Sequence, residues 1–260
     1  MAHSWDPERY LTYADERGRP FLELLARVDA AAPAEVVDLG CGPGNLTELL
    51  AGRWPGATIT GLDSSPEMIA RARADGGGRV QYDVADLRDW RPDVAPDVLI
   101  SNATLQWVPG HLDLIPALLG RVRPGGWFAF QVPGNFTEPS HAIREHLATE
   151  EPYAEHLARV ASPAAYDAAT YLDLLDGLGC TVDAWETTYL HRLTGPDAVF
   201  DWISGTGARP AFEALEVVPA LRASYEAELR SRLRAAYPAV DGRVLMPFRR
   251  VFVVARTPVG

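Results

Sequence analysis

The chain has 260 residues, of which 47% are hydrophobic, and a formal net charge of −11 at neutral pH. That apolar content is enough for a large core, whereas the acidic balance argues against a nucleic-acid partner, which usually meets a basic face. We find no basic-then-apolar leader and no run long enough to cross a membrane, so we expect a cytoplasmic protein. Cys41 and Cys180 form neither a metal-ligand spacing nor a disulfide framework, and we predict no metal site.

The first part of the chain alternates between strand and helix patterns. Residues 1–31 are typical of a helical segment that starts with Trp5 and Tyr10. The predicted strands that follow are 36–39, 58–62, 80–83, 97–101 and 127–132. The predicted helices between them are 46–54, 66–74 and 112–119. This order predicts an α/β fold with a parallel sheet and helices on both faces.

Two later segments, about 135–165 and 195–240, are helical in pattern and fall outside this alternation. A helix at 171–178 and a long strand at 180–193 lie between them, and a strand at 250–255 ends the pattern. We expect one domain, 1–260, with both segments as helical cap insertions over the strand ends.

A glycine turn, Gly40-Cys41-Gly42-Pro43-Gly44, joins the first predicted strand to its helix. Glycines let a ligand approach the backbone closely, and the N–H groups at the helix start face the same space. The dinucleotide fingerprint G-x-G-x-x-G is not met, because Asn45 stands where its third glycine belongs, and no P-loop ending follows. The turn predicts a nucleoside-type cofactor across the strand ends. A tight turn without a ligand is the alternative.

Polar residues follow the next strands. Asp63 is placed to accept hydrogen bonds from ribose hydroxyls, or else to cap the next helix, although Ser64 and Ser65 can do that. Asp86 and Leu87 follow the third strand, where Leu87 could pack on an adenine ring and Asp86 could equally be a solvated loop residue.

The strand that ends in Asp38-Leu39, the turn Gly40-Cys41-Gly42-Pro43-Gly44 and the helix after it resemble motif I of the class I S-adenosylmethionine-dependent methyltransferases. The resemblance implies a Rossmann-like, mostly parallel seven-stranded sheet with a helical cap, and S-adenosylmethionine as cofactor. It also implies that Asp86 meets the adenine amino group and that Asn102 and Ala103 lie beneath the methionyl group. The predicted cofactor-binding residues are Asp38, Gly40, Cys41, Gly42, Asp63, Ser64, Asp86, Leu87, Asn102, Ala103 and Trp107.

Further motifs match one family within that superfamily. They are Trp5-Asp6-Pro7, Glu16-Arg17-x-Arg19-Pro20, Asn102-Ala103-x-Leu105-Gln106-Trp107, Glu138-Pro139-x-His141, Thr206-Gly207-x-Arg209-Pro210 and Phe252-x-Val254-Ala255-Arg256. Over nearly its full length the chain is similar to the trans-aconitate 2-methyltransferase family. This similarity implies methyl transfer from S-adenosylmethionine to one carboxylate of trans-aconitate, giving a monomethyl ester.

Composition and spacing by themselves reach only a small-molecule methyltransferase, whose acceptor could be another small acid or a hydroxyl compound. A nicotinamide-dependent oxidoreductase is disfavoured by the missing third glycine and by the lack of a hydride-transfer pair. A cofactor-binding module without activity is disfavoured because the glycine turn, Asp63 and Asp86 are all intact.

A carboxylate acceptor is already ionised at neutral pH, so we predict no general base and no catalytic side chain. Alignment and exclusion of water would supply the rate. A small polycarboxylate needs focused positive charge, which arginine supplies through its two-pronged geometry. Arg209 is the first candidate, although an arginine on a helix is more often solvated or salt-bridged. The predicted substrate-binding residues are Trp107, His141, Arg144, Tyr189 and Arg209.

Overall fold

The structure, a computed structural model, describes residues 14–160 and 162–259. The predictions for Trp5 and Tyr10 lie outside the described residues. The strands are β1 (Glu35–Leu39), β2 (Thr58–Asp63), β3 (Val80–Val84), β4 (Val98–Asn102), β5 (Trp127–Pro133), β6 (Thr181–Thr194) and β7 (Arg243–Arg256). The helices of the first half are α1 (Ala14–Ala26), α2 (Thr47–Arg53), α3 (Pro66–Asp75) and α4 (His111–Leu119). Those of the second half are α5 (Pro139–Ala148), α6 (Ala154–Leu157), α7 (Ala168–Asp176), α8 (Ala198–Ser204), α9 (Arg209–Ala214) and α10 (Pro219–Ala236).

The strands form a seven-stranded sheet in the order β3-β2-β1-β4-β5-β7-β6. Neighbouring strands from β3 to β5 are parallel, and β7 runs antiparallel to β5 from Trp127↔Arg256 to Pro133↔Arg250. In the sheet, β2 lies on one side of β1 and β4 lies on the other side, so the order of the strands reverses at β1. The predicted Rossmann-like, mostly parallel fold is therefore confirmed. In such a fold, ligands bind at the carboxyl ends of the strands where the order reverses, here β1 and β4.

The chain divides into two compact units. Of the described residues, unit 1 contains 14–133, 165–187 and 250–259, and unit 2 contains 134–160, 162–164 and 188–249. Strands β6 and β7 contribute residues to both units. No helix in the described ranges is long and apolar enough to cross a membrane. The cap role of the segments 135–165 and 195–240 stays a prediction.

The apolar core of unit 1 covers one face of its sheet. Leu39, Leu99 and Phe130 from the strands pack with Tyr171 and Leu175 of α7, and all are fully buried. The opposite face carries α1, which contacts β5. Because side chains alternate across a strand, this second face receives Asp38, Asn102 and Gln131. The polar residues of the strand ends thus share one face of the sheet.

In unit 2, α10 packs against α5 and α8. Its fully buried Tyr225 meets the ring of Tyr153 edge to face, with ring centroids 5.1 Å apart, and its hydroxyl donates to the Arg144 carbonyl. This packing gives unit 2 a core of its own.

The last strand is longer than predicted, because it begins at Arg243 rather than at residue 250. Val244, Met246 and Phe248 are buried and alternate with the more exposed residues between them. Pro247 within this stretch is a residue that usually argues against a strand. The alternation of period two is the signal that identifies it.

Candidate functional site

The glycine turn after β1 is bound to the end of β2. The N–H groups of Gly40 and Cys41 both donate to the Leu62 carbonyl, at 2.7 and 3.0 Å. A Cβ at Gly40 would collide with the Thr104 side chain, so this glycine is required by the protein's own packing. Gly42 also has a positive φ, of +56°, but a Cβ there would meet no atom of the described residues within 4 Å. Among the glycines of this turn, Gly42 is thus the one with open space around it in the part of the chain that the structure describes.

Asp63 holds this turn from the end of β2. Its Oδ2 accepts from the Gly42 N–H at 3.0 Å, and its Oδ1 accepts from the Ser65 N–H at 2.9 Å. Burial raises the pKa of Asp63, and backbone N–H donors, including those of Ser65 and Gly42, act in the opposite direction. The alternative capping role falls to Ser65, whose hydroxyl accepts from the Met68 N–H at the start of α3. Ser64 lies between them and is exposed.

Asp38 lies beneath the turn and is 2% exposed. Its Oδ2 accepts from the Thr47 hydroxyl at 2.7 Å, whereas its Oδ1 has no hydrogen-bond partner among the described residues. Burial raises the pKa of Asp38 to about 7. Cys41 contributes no nucleophile, because burial raises the pKa of its thiol well above the usual range.

The elevated pKa of Asp38 predicts a pH-dependent stability. Between about pH 4 and about pH 7 the folded state holds a proton on Asp38 that the unfolded state has lost, so stability falls as pH rises through this window. Across this pH window, the free energy of unfolding of the wild type should fall by on the order of 4 kcal/mol relative to that of Asp38→Asn. Urea unfolding of both proteins at several pH values measures the free energy of unfolding. If this free energy depends on pH in the same way in both proteins, the prediction is wrong.

Asp86 follows β3 and pairs with Arg88. Its Oδ1 accepts from the backbone N–H and the Nε of Arg88, both at 2.9 Å. The hydrogen bonds from the Arg88 side chain lower the pKa of Asp86, so the group is a carboxylate at neutral pH. Leu87 is partly buried against the core of unit 1. Asp86 thus comes shortly after β3, and its carboxylate is paired with the side chain of Arg88.

The end of β4 turns sharply. Ala103 has a φ of +53°, which is rare for a residue with a side chain. Its N–H donates to the Gln131 carbonyl at 2.8 Å, and its carbonyl accepts from the Gln106 side chain at 2.7 Å. Trp107 ends the short helix Leu105–Trp107 that follows and is half-buried.

Several buried polar atoms at these strand ends have no hydrogen-bond partner within the described ranges. They are Asp38 Oδ1, Asn102 Oδ1, Gln106 Oε1 and Gln131 Nε2. A buried polar atom without a partner costs roughly 1–3 kcal/mol, and several together are unusual. Because these atoms lie at the ends of β1, β4 and β5 or in the short helix after β4, they make the strand ends of unit 1 the candidate ligand site.

Unit 2 contains a second polar group, formed by His141 and Arg144 on α5. Arg144 donates to the Gly207 carbonyl, and its guanidinium lies 3.3 Å from a carboxylate oxygen of Glu145. A Cβ at Gly207 would lie 3.2 Å from Arg144 Nη1 and 3.5 Å from His141 Nε2, so both side chains converge on this glycine. Arg144 lines a cavity of about 290 Å³ with Glu145, Gly207 and Tyr225.

The other predicted substrate residues of unit 2 have different neighbours. Tyr189 stacks near His191, with ring centroids 6.4 Å apart, and His191 lies 4.3 Å from the Trp202 ring. Arg209 opens α9, and its Nε lies 2.8 Å from Glu213 Oε1, four residues later on the same helix. Unit 2 therefore brings His141 and Arg144 together, whereas Arg209 is engaged by its own helix.

Sequence reasoning did not single out Gln131 or Thr104. Gln131 is the one uncharged amide within the otherwise apolar strand Trp127–Pro133, and that contrast was a usable signal. Thr104 supports Gly40 from a distant part of the chain, and no local pattern could reveal such a contact.

Known proteins resemble this chain along most of its length. A family model described as a methyltransferase domain matches residues 10–184. A Streptomyces coelicolor protein named trans-aconitate 2-methyltransferase is 52% identical over 100% of this chain and 88% of its own length. A Rhodococcus jostii protein of the same name is 51% identical over 97% of this chain and 99% of its own.

Solved structures of lower identity share the fold. A Haemonchus contortus phosphoethanolamine N-methyltransferase 2, solved with phosphomonomethylethanolamine and S-adenosylhomocysteine, aligns with a TM-score of 0.57 at 15% identity. The alignment covers 92% of this chain and 52% of that one. The chain belongs to the methyltransferases and, within them, to the family whose curated members are named trans-aconitate 2-methyltransferase.

Proposed function

We propose that the protein transfers a methyl group from S-adenosylmethionine to one carboxylate of trans-aconitate, giving a monomethyl ester. The observation that carries this proposal is identity of 52% to a relative of that name over the whole of this chain. When bound, S-adenosylmethionine supplies a sulfonium methyl group that an oxygen nucleophile can take, with S-adenosylhomocysteine as the leaving group.

The residues at the strand ends of unit 1 suit this cofactor. Gly42 leaves open space beside the turn, as close approach of a ligand to the backbone requires. Asp38 Oδ1 and Asn102 Oδ1 have no hydrogen-bond partner among the described residues, and a polar ligand at the strand ends could supply one. The residues proposed to hold it remain Asp38, Gly40, Cys41, Gly42, Asp63, Ser64, Asp86, Leu87, Asn102, Ala103 and Trp107.

The reaction requires little acid–base catalysis by the protein. The acceptor carboxylate is ionised at neutral pH and needs no base to become a nucleophile. The chain's task is to orient that oxygen and to exclude water. A role limited to orienting the acceptor and excluding water agrees with two observations. The Cys41 thiol stays protonated, and Asp38 is buried.

For the acceptor, we propose contacts from Trp107, His141, Arg144, Tyr189 and Arg209. Arg144→Lys keeps the charge but loses the bidentate geometry, and we expect it to raise KM for trans-aconitate about tenfold. Arg209→Ala is expected to raise KM less, because Glu213 already engages that guanidinium. Steady-state kinetics at saturating cofactor measure both variants. A larger effect of Arg209→Ala would contradict this order.

The test of the proposed function is a comparison of acceptors. Initial rates with trans-aconitate, cis-aconitate, isocitrate, citrate and an aromatic hydroxy acid give kcat/KM for each. We expect trans-aconitate to have the highest value. A higher value for the hydroxy acid would leave the protein a methyltransferase with a different acceptor.

We also propose that the protein works in the cytoplasm on a small molecule, without a nucleic-acid or membrane partner. Both cysteines are free and buried, which agrees with a reducing compartment. Cell fractionation and chromatography with and without added DNA test these two points.

A further inference from the structure

Gln131 is a buried amide at the end of β5 that the roles proposed above do not use. It is 1% exposed, and its Nε2 has no hydrogen-bond partner among the residues that the structure describes. A buried amide nitrogen without an acceptor is unfavourable by roughly 1–3 kcal/mol. An arrangement of this kind favours a ligand that supplies the acceptor.

Arg250 determines which end of the amide is presented. Its Nη1 donates to Gln131 Oε1 at 3.3 Å, and Arg250 itself is 6% exposed. A guanidinium has only donors, so the amide oxygen must face Arg250 and the NH₂ group must face away from it. The register agrees, because Gln131 pairs with Phe252, and Arg250, two residues earlier, lies on the same face of the sheet.

The order of strands gives this amide its place beside the ligand. The residues proposed for the adenine, the ribose and the methionyl group lie at or just after the ends of β3, β2 and β4, and these strands occur in the same order across the sheet. Strand β5 comes next, and Asn102 pairs directly with Gln131. A group bound beyond the methionyl end of the cofactor therefore meets β5.

We propose that the Gln131 NH₂ group, oriented by Arg250, donates a hydrogen bond to a carboxylate of the acceptor and favours carboxylate acceptors over hydroxyl compounds. This inference rests on the proposed function. A neutral donor beside a buried guanidinium favours an anion over a hydroxyl compound.

Two substitutions change the amide in different ways. Gln131→Leu removes the donor at similar size, and Gln131→Glu replaces it with an anion that repels a carboxylate. Gln81→Leu and Gln81→Glu are matched controls, because Gln81 is an exposed glutamine on β3. Calorimetry measures the Kd of trans-aconitate for the protein saturated with S-adenosylhomocysteine, and a second titration measures the Kd of S-adenosylhomocysteine alone. Thermal unfolding identifies any variant that does not fold.

We expect Gln131→Leu to weaken trans-aconitate about tenfold or more, and Gln131→Glu to weaken it further. The affinity for S-adenosylhomocysteine should stay within about twofold, and KM should rise more than kcat falls. Equal loss of S-adenosylhomocysteine binding would assign the amide to the cofactor and overturn the inference. Unchanged trans-aconitate binding would overturn it too and leave the proposed function intact. A wild type that neither binds nor methylates trans-aconitate would overturn the proposed function, and this inference with it.

Discussion

Gly42→Ala should lower the affinity for S-adenosylhomocysteine about a hundredfold or more while the protein stays folded. The residue has a φ of +56°, and its missing side chain leaves open space beside the turn. Alanine would add a methyl group where the cofactor must approach, and it would strain the backbone by roughly 1–2 kcal/mol. Both effects act on the atoms that we propose to contact the ligand.

Gly78→Ala separates these two effects. Gly78 has a φ of +75° and lies in an exposed turn before β3, and a Cβ added there would meet no described residue within 4 Å. In thermal unfolding, Gly78→Ala should lose about as much stability as Gly42→Ala does. In calorimetry, it should keep the wild-type affinity for S-adenosylhomocysteine. If Gly42→Ala binds S-adenosylhomocysteine as well as Gly78→Ala does, the glycine turn does not contact the cofactor.

Asp63→Asn should weaken S-adenosylhomocysteine about a hundredfold. The two carboxylate oxygens of Asp63 accept the N–H groups of Gly42 and Ser65. An asparagine has one oxygen, so its NH₂ group must face one of these donors and break that bond. The substitution also removes one of the carboxylate oxygens that we propose to accept hydrogen bonds from the ribose hydroxyls.

Asp83→Asn is the control for charge alone. Asp83 lies on β3, pairs in register with Leu62, and forms an exposed salt bridge with Arg73. It should bind S-adenosylhomocysteine within about twofold of the wild type, since surface salt bridges contribute little. Equal affinities of the Asp63 and Asp83 variants would show that Asp63 does not hold the cofactor.

The sequence predicted the strands, the glycine turn and the helix starts around the candidate cofactor site, because these features are built from local signals. The strand before Gly40 is apolar, and the glycines after it indicate a turn. An acidic residue, Asp63, then stands at the end of the next strand. Pro66 and the serine before it also indicated where α3 begins, and Ser65 does cap it. In each case the residues that form the feature are neighbours in the chain.

The rest depends on contacts between distant residues. Gln131 acquires its orientation from Arg250, and Gly40 is packed against Thr104. Arg209 is predicted from the sequence to bind the substrate, and the structure places it at the start of a helix, where it pairs with Glu213. Such partners are determined by the sheet order and by helix boundaries, which sequence patterns locate only approximately.

The most direct measurement is identification of the product formed from trans-aconitate and S-adenosylmethionine labelled in its methyl group. Mass spectrometry should find one labelled methyl group per acceptor, and mild base should release that label as methanol, because a carboxyl ester hydrolyses and an ether does not. A monomethyl ester of trans-aconitate is the result that the proposed function predicts. A folded protein that binds S-adenosylhomocysteine and yet forms no labelled ester of trans-aconitate would contradict it.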